Sequence, residues 1–555
     1  RAVKLKIKDV VLELGRYSDR PLQFIEKSLS SSALGDNKLY YFNMQGRVQL
    51  DLMKVVQRDY NLDSYKLDSV AENFITGKVI DIKIRKRLKK TELKITNISD
   101  IIIGNYIKLS VPKGKFDIEY YDNGTKLKII DIKKPDILIV DHIFKDSEEN
   151  NSKSWNWGLV KDDVSPNDIF RLQEGTSKDR KLVAEYCIQD CILCNKLMEK
   201  LCILINNIAM ANVCSVPLSY IFLRGQGIKV LSLVAKFCRQ KKYLIPTLQN
   251  VKDQGYEGAI VFPPKIGFYK SPVAVLDYAS LYPSSMIHRN LSHEMFVEKD
   301  GEYDNLKDYN YQDVSYTNSD KTETVCRFAQ KKDKSLGIMP TILQHLLNQR
   351  KAVKKEMKKE KDPFKESILD GQQLAYKLTA NSIYGQIGSS FSAIYKKEIA
   401  ASTTATGRYM LELARDYMEN DFPSIVEDIY NNINNKEELI KILKKELRPK
   451  LFEDDNIVKR LINVIKTVLD KCNIIPKTIY GDTDSVFIDF NLKHKDTNEV
   501  YEETNQLKFA IDLGIIAGDL IKSKLDFPHD LEYEKTFWPF CIFSKKRYVG
   551  NKYEF

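Results

Sequence analysis

The sequence predicts a multidomain α/β protein, and three observations lead to that class. The chain has 555 residues, enough for several domains and a large core, and its 43% hydrophobic and 29% charged content is ordinary globular composition, not that of a disordered or fibrous chain. Its patterning is mixed, with strand-like runs alternating with stretches of helical periodicity. Two apolar strand-like runs end in carboxylates, one at Asp277 and one at Asp482 and Asp484, a hard-oxygen donor pattern.

Taken in order, Tyr41-Phe42-Asn43-Met44 leads into Gly46-Arg47-Val48-Gln49-Leu50-Asp51. Leu52, Val55, Val56, Tyr60, Leu62, Tyr65, Leu67 and Val70 then have the spacing of a helix, a turn and a second helix. From about Gly77 to Ser165 a Lys/Ile-rich, strand-patterned segment predicts a small β subdomain. Its run Lys83-Ile84-Arg85-Lys86-Arg87-Leu88-Lys89-Lys90 either touches a nucleic-acid backbone or forms a solvated charged face. Asp117 and Glu119, in Phe116-Asp117-Ile118-Glu119, are expected as solvent-facing strand residues.

The stretch Ala184-Glu185-Tyr186-Cys187-Ile188-Gln189-Asp190 places Tyr186 and Asp190 one helical turn apart. Cys187, Cys191, Cys194 and Cys202 also have helical spacing and no nearby His, so they are expected as buried helix-face cysteines rather than a zinc site. A helix through Leu197, Leu201, Leu204, Ile205 and Ile208 leads to Val216-Pro217, with a domain junction near Ala209. Tyr256-Glu257-Gly258-Ala259 reads as a turn of small residues.

Val273-Ala274-Val275-Leu276-Asp277 is an apolar strand running into the compact turn Tyr278-Ala279-Ser280-Leu281-Tyr282-Pro283-Ser284. Pro340 opens an amphipathic helix with Arg350 and Lys354 on one face, and a second helix carries Lys377, Asn381 and Tyr384. Two antiparallel helices presenting Arg350, Lys354 and Lys377 to one cleft would grip a triphosphate, whereas the lysines from Lys355 to Lys365 are solvated. Asp421 to about Lys471 reads as a Lys/Glu-rich helical hairpin without an assigned role.

Thr478 to Phe490 then forms a hairpin whose Gly-Asp-Thr-Asp-Ser tip holds Asp482 and Asp484 on one face by strand alternation. Carboxylates that close call for a cation, and Mg²⁺ suits them because it binds one or two carboxylates plus substrate phosphates. The alternative is a solvated Asp-rich turn.

Lys+Arg 87 against Asp+Glu 76 gives a net charge of +11, which fits a polyanion partner. Nine cysteines are too few for a disulfide scaffold and no signal peptide opens the sequence, so the protein is expected to be intracellular and reduced. No apolar run approaches the length of a membrane span.

Three stretches in this order, the Asp277 strand and turn, Lys377-Leu378-Thr379-Ala380-Asn381-Ser382-Ile383-Tyr384-Gly385, and Tyr480-Gly481-Asp482-Thr483-Asp484-Ser485, resemble the polymerase motifs of family-B DNA polymerases, delta-type and most like those of large DNA viruses. The resemblance extends to Tyr256 and Gly258 as a template-contacting junction, to Leu531-Glu532-Tyr533-Glu534-Lys535, and to Lys545-Lys546-Arg547-Tyr548 gripping the primer-template backbone. It implies a partial RNase H-like exonuclease domain over 1–208, interrupted by an insertion at about 77–165. A palm over 209–336 and 389–555, fingers over 337–388 and a helical insertion at about 421–471 complete the expected plan.

The resemblance further implies DNA-templated DNA synthesis in replication, with Asp277 and Asp484 as ligands of two Mg²⁺ ions and Asp482 as a secondary residue that alternatively holds the turn. It implies that amides at Ser280 and Leu281 receive the triphosphate and that Tyr282 stacks under the sugar and excludes a 2′-hydroxyl. Asn381 and Tyr384 would pack on the nascent pair. Glu534 would support the metals.

Tyr186 and Asp190 correspond to the third exonuclease motif, with Asp190 as a metal ligand and Tyr186 orienting water. The family's earlier carboxylate motifs and its thumb are expected outside this chain, which opens at Arg1, so hydrolysis by this chain alone is not expected. Primer-template DNA, dNTPs and a sliding-clamp-type processivity factor are the implied partners, without a membrane. The implied setting is the nucleus or a cytoplasmic viral replication site. A different class, a non-catalytic nucleic-acid-binding or assembly protein, is opposed by the joint presence of Asp277, Asp484, Lys377 and Arg350, which a binding module does not need.

Overall fold

The computed structural model describes residues 6, 10, 12–17, 22–31, 35–98, 101–113, 117–133, 135–144, 154–161, 164–245, 255–298, 303, 305–501 and 505–554. The chain divides into two compact units, one of residues 1–212, 216–225 and 356–375, the other of 213–215, 226–355 and 376–555.

The first unit opens on a hairpin, β1 Phe24–Ser31 and β2 Gly35–Phe42. Helix α1 Leu52–Asp59 follows, capped by Asp51 accepting from the Lys54 amide, and then α2 Leu67–Phe74. Seven strands come next: β3 Thr76–Arg85, β4 Lys90–Ile95, β5 Tyr106–Lys113, β6 Asp117–Tyr120, β7 Leu127–Lys133, β8 Ile137–Val140 and β9 Asn156–Val160.

Among the described residues these strands run in the order β6-β5-β7-β8-β4-β3-β9, and β5 also pairs with β9, so six of them close on themselves. Closure removes the unpaired edges that an open sheet would present. Alternation sends Leu93, Ile95, Ile107, Leu109, Leu127, Ile129, Leu138, Val140, Trp157 and Leu159 inward. Each fully buried Leu, Ile or Val contributes about 1.5–3 kcal/mol. This core also takes Val56 and Val70 from the two helices and Leu193 and Leu197 from further along, so the strand segment is built into its unit.

The remaining helices of this part are α3 Pro166–Glu174, α4 Ser177–Lys200, α5 Ile203–Cys214 and α6 Leu218–Leu223. Ser165 and Thr176 start α3 and α4 with capping boxes closed by Asp168 and Asp179. Two expectations fail here. Cys187 and Cys191 are exposed rather than buried, because the inward stripe of α4 is Leu193 and Leu197. Glu119 is half-buried rather than solvent-facing; Phe116 and the Asp117 side chain lie outside the described residues.

The second unit is organised on a sheet that runs, among the described residues, β10-β19-β11-β17-β16, with β20 beside β19 and all pairs antiparallel. Its elements in chain order begin with α7 Gln226–Lys241, β10 Gly267–Tyr269, β11 Val273–Tyr278, α8 Leu281–His288, β12 Phe296–Val297, β13 Tyr309–Thr317 and β14 Glu323–Lys331. Helices α9 Ile338–Met357, α10 Pro363–Ile387, which belongs to this unit only from Tyr376 on, and α11 Lys397–Asp416 follow, and a π-helical stretch Tyr417–Asp421 leads into α12 Phe422–Asn431. Next come α13 Lys436–Glu446, α14 Pro449–Phe452 and α15 Asp455–Leu469. The last elements are β15 Cys472–Asn473, β16 Lys477–Asp482, β17 Ser485–Asp489, β18 Lys493–His494, α16 Gln506–Ile521, β19 Leu531–Ser544 and β20 Arg547–Tyr553.

β11 reads as a continuous apolar run because both faces of its sheet are covered. Ala274, Leu276 and Tyr278 enter a core with Leu513, Ile516 and Leu520 of α16, while Val273 and Val275 enter a second core with Phe487, Phe537 and Phe540. Gly514 lets α16 lie against β19, since a Cβ there would stand 2.6 Å from Tyr533 Cδ2. Residues 421–471 form four helices, α12 to α15, rather than a hairpin. Asn435, Pro449 and Asp454 each start a new helix, and Leu439, Leu443, Leu461 and Ile465 bury into the core that holds Leu276.

Candidate active site

β16 and β17 are joined by a two-residue turn, and Asp482 faces Ser485 across the last pair of the ladder. Thr483 adopts a left-handed backbone with φ 57°, and the Asp484 N–H bonds the Asp482 carbonyl at 2.6 Å. This interrupts the alternation expected of the tip, so the two carboxylates have different partners. Asp482 accepts from the Tyr480 hydroxyl at 3.1 Å and the Thr483 hydroxyl at 3.0 Å, and lies 3.3 Å from Lys546 Nζ.

Asp484 instead shares its surroundings with Asp277. Asp277 is paired with Ser485 on one side and Glu532 on the other, and the Tyr278 amide donates to the Asp484 carbonyl at 2.8 Å. Burial first, then the charges of Asp484 and Glu534, push the Asp277 carboxyl up to about 7, against the pull of Lys535 and Lys377. Burial also raises Asp484, helped by Asp482 and Glu534 and opposed by its own backbone and Lys377.

Among the described residues no three His, Cys, Asp or Glu side chains are grouped to hold a metal. Asp277 and Asp484 are nevertheless a hard-oxygen pair whose mutual repulsion a cation would relieve. Mg²⁺ needs only one or two carboxylates when substrate phosphates complete its shell, so the donor set fits that ion.

Next to Asp277, the Ala279 amide donates to the Asp530 carbonyl at 2.9 Å, and Ser280 turns the chain with φ 57° to start α8 at Leu281. Unpaired amides at a helix start favour an anion. Tyr282 in the first turn is half-buried, its ring centroid 4.5 Å from that of Tyr384. Burial first, then Asp484, raises the Tyr282 hydroxyl to about 12. Tyr384 is raised by burial and by a hydrogen bond with Tyr256. The three tyrosines are thus linked.

Glu257 and Gly258 are tied to α11. Arg408 donates to the carbonyls of Glu257 at 2.8 Å and Gly258 at 2.7 Å, and the Thr404 hydroxyl reaches Glu257 at 3.2 Å. Gly258 faces open space, with nothing near where a Cβ would stand.

On α10, Lys377 is exposed yet close enough to act on both Asp277 and Asp484, and Asn381 is exposed one turn on. Arg350 of α9 is half-buried; burial lowers its pKa and Glu532 opposes the change. Lys354 is exposed, and nothing in the structure joins it to the carboxylates.

The turn between β19 and β20 carries Lys545, Lys546 and Arg547, all exposed. The Lys546 amide donates to the Tyr480 hydroxyl at 2.9 Å, so Lys546 is bound to the Asp482 hairpin through both its backbone and its side chain. Tyr548 packs its ring on Phe487, Phe537 and Phe540.

In the other unit, Lys161 donates to the Tyr186 hydroxyl at 2.6 Å and lies 3.5 Å from Asp190. Burial lowers the Lys161 pKa, but the hydroxyl and the carboxylate outweigh it and raise the net value. Asp190 Oδ1 is buried without a hydrogen-bond partner among the described residues. Lys161 and Arg408 escaped sequence reading. No local spacing marks Lys161 for α4, whereas the one-turn spacing of Thr404 and Arg408 was a usable signal.

The profile of DNA polymerase family B matches residues 216–555, and that of the family's exonuclease domain matches residues 1–70. Among curated proteins, the chain is similar to a DNA polymerase of Pyramimonas orientalis virus, 41% identical over 100% of this chain and 44% of that protein. It is 37% identical to a DNA polymerase of Phaeocystis pouchetii virus, over 91% of this chain and 48% of that protein. It is 30% identical to the DNA polymerase delta catalytic subunit of Dictyostelium discoideum, over 99% of this chain and 36% of that subunit. The chain thus spans less than half the length of each of these relatives. Among its described residues no single helix is long and apolar enough to cross a membrane.

Proposed function

Because this chain belongs to DNA polymerase family B, we propose that it carries the nucleotidyl-transfer step of DNA-templated DNA synthesis. The observation that supports this most is the meeting of Asp277 and Asp484 at neighbouring strand ends, beside the start of α8 and within the field of Lys377. In this reading residues 209–336 and 389–555 are the palm, 337–388 the fingers and 1–208 the exonuclease-type part. Primer-template DNA, dNTPs and a sliding-clamp-type factor are its proposed partners, and the nucleus or a cytoplasmic viral replication site is its proposed setting.

Asp277 and Asp484 would hold Mg²⁺, which when bound supplies Lewis-acid stabilisation of the primer oxygen and the leaving pyrophosphate. The chain's own residues bind and orient. The Ser280 and Leu281 amides receive phosphate oxygens. Lys377 and Arg350 neutralise triphosphate charge, with Lys354 a more distant contributor. Tyr282 lies under the sugar, and Asn381 and Tyr384 bound the nascent pair. The primer 3′-oxygen forms its bond to the α-phosphorus as the bond to pyrophosphate breaks, and the hydroxyl proton leaves to solvent.

Asp482, held by Lys546, keeps the turn in shape rather than taking part directly. Tyr256 and Gly258 meet template phosphates, and Lys545, Lys546 and Arg547 add sequence-independent, salt-dependent affinity. In the exonuclease-type part, Lys161 holds Tyr186 and Asp190 to one another.

Primer extension with Mg²⁺ and dNTPs, comparing the chain with Asp484→Ala, tests the reading. Extension by the parent alone is expected. No extension by the parent, even when the flanking parts of a relative are joined to it, would favour the non-catalytic nucleic-acid-binding role.

A further inference from the structure

We propose that the helical segment 421–471 positions the triphosphate-receiving turn through Arg448, a statement that rests on the nucleotidyl-transfer reading above. Arg448 stands at the start of α14 and turns its guanidinium onto the loop between α16 and β19. Its Nε donates to the Lys522 carbonyl at 2.6 Å, and its Nη2 donates to the Leu525 carbonyl at 2.8 Å and the His529 carbonyl at 3.2 Å. One rigid, planar donor thereby gathers three carbonyls of an irregular loop, which a flexible ammonium could not do.

The loop passes this constraint directly to the candidate site. Asp530, the residue after His529, accepts from the Ala279 amide at 2.9 Å, and Leu531 pairs with Tyr278. A second link runs through the buried His529 ring. Its Nδ1 lies 3.2 Å from the Asp526 carbonyl and its Nε2 lies 3.1 Å from Ser285 Oγ on α8. With Nδ1 facing a carbonyl, Nε2 is left toward the Ser285 hydroxyl, whose one proton also reaches the Leu281 carbonyl at 2.9 Å within α8. The residue before Ser280 and the helix after it are thus both tied to the loop that Arg448 holds.

Arg460, on α15 of the same segment, does something different. It reaches Asp519 at 2.6 Å and so fastens α16 rather than the loop carbonyls. Arg448 touches no reacting group, so it is a positioning residue and its effect should fall on triphosphate binding.

The test is single-nucleotide incorporation on a primer-template, with kcat, dNTP KM and DNA affinity measured separately. Arg448→Ala is expected to raise the dNTP KM about tenfold, with a smaller fall in kcat and parental DNA affinity, because displacing a binding turn weakens the ligand it orients. Arg448→Lys should fall between the two. Arg460→Ala should lower the unfolding midpoint and leave the KM at the parental value.

A parental KM in a folded Arg448→Ala chain would overturn the proposal, and so would an equal KM rise in Arg460→Ala. Should Arg448→Ala fail to fold, Arg448→Gln is read the same way, and a parental KM there overturns it. Failure of the underlying polymerase reading would show separately, as no incorporation by the parent.

Discussion

Replacing Gly407 by alanine should dislodge Tyr282 without touching any charged group of the site. A Cβ at this position of α11 would stand 2.9 Å from Tyr282 Cε1, 3.5 Å from its Cδ1 and 3.4 Å from Leu281 Cδ2. Non-bonded carbons settle about 3.5–4.0 Å apart, so the ring must retreat by about 0.6–1.1 Å. The Tyr384 ring, already 4.5 Å away between centroids, restricts that retreat. Overpacking of this kind costs about 1–3 kcal/mol of stability. A misplacement of about 1 Å at a reacting centre costs up to about a hundredfold in rate. The assay is single-nucleotide incorporation with dNTP and with the matching rNTP on one primer-template. We expect kcat/KM for dNTP to fall about tenfold, discrimination against the ribonucleotide to narrow, and DNA affinity to stay unchanged. A folded Gly407→Ala chain with parental discrimination and parental kcat/KM would refute the placement of Tyr282 beneath the sugar.

Three further outcomes follow. Burial, then the neighbouring His288, holds the His529 imidazole down at about 4 against its ordinary 6.5. The unfolded chain therefore binds the extra proton first: this contribution is intact above pH 6.5 and is lost as pH falls toward 4, about 3 kcal/mol in all. His529→Gln should flatten the loss of stability across that window; an unchanged slope of unfolding midpoint against pH would contradict it. Lys546 is 66% exposed, so its pair with Asp482 adds little stability. Lys546→Ala should make the log–log salt slope of primer-template affinity shallower by about 0.9 on every sequence, and an unchanged slope would remove the phosphate contact. A thiol reagent should label Cys187 and Cys191 in the folded chain before Cys214, Cys238, Cys326 and Cys472, and uniform labelling would contradict their burial difference.

The elements that were legible in the sequence are those whose signal is local. The β16–β17 hairpin, the apolar β11 that carries Asp277 and the turn into α8 all show in residues a few positions apart. The residues that hold them in place do not. Lys546 is far along the chain from the Asp482 it pairs with, Arg408 from the Gly258 carbonyl, and Lys161 from Tyr186. Closure of the barrel depends on β5 meeting β9, a pairing that no short pattern encodes. The tip of the β16–β17 hairpin is where strand alternation stops applying, because Thr483 takes a positive φ, yet Asp482 stays near enough to Asp484 for its charge to raise that carboxyl's pKa. The segment 421–471 read as one helical hairpin because Leu and Ile spacing marks helical faces but not every break between helices, and the core those side chains enter is distant in sequence.

The central claim is that Asp277 and Asp484 act together on one transferred phosphoryl group. Single-turnover incorporation by Asp277→Asn and Asp484→Asn, with primer-template affinity measured alongside, tests it most directly. Each substitution keeps the shape and removes the charge, so each should abolish measurable transfer while leaving DNA affinity at the parental level. Parental single-turnover rates in either folded variant would contradict the account.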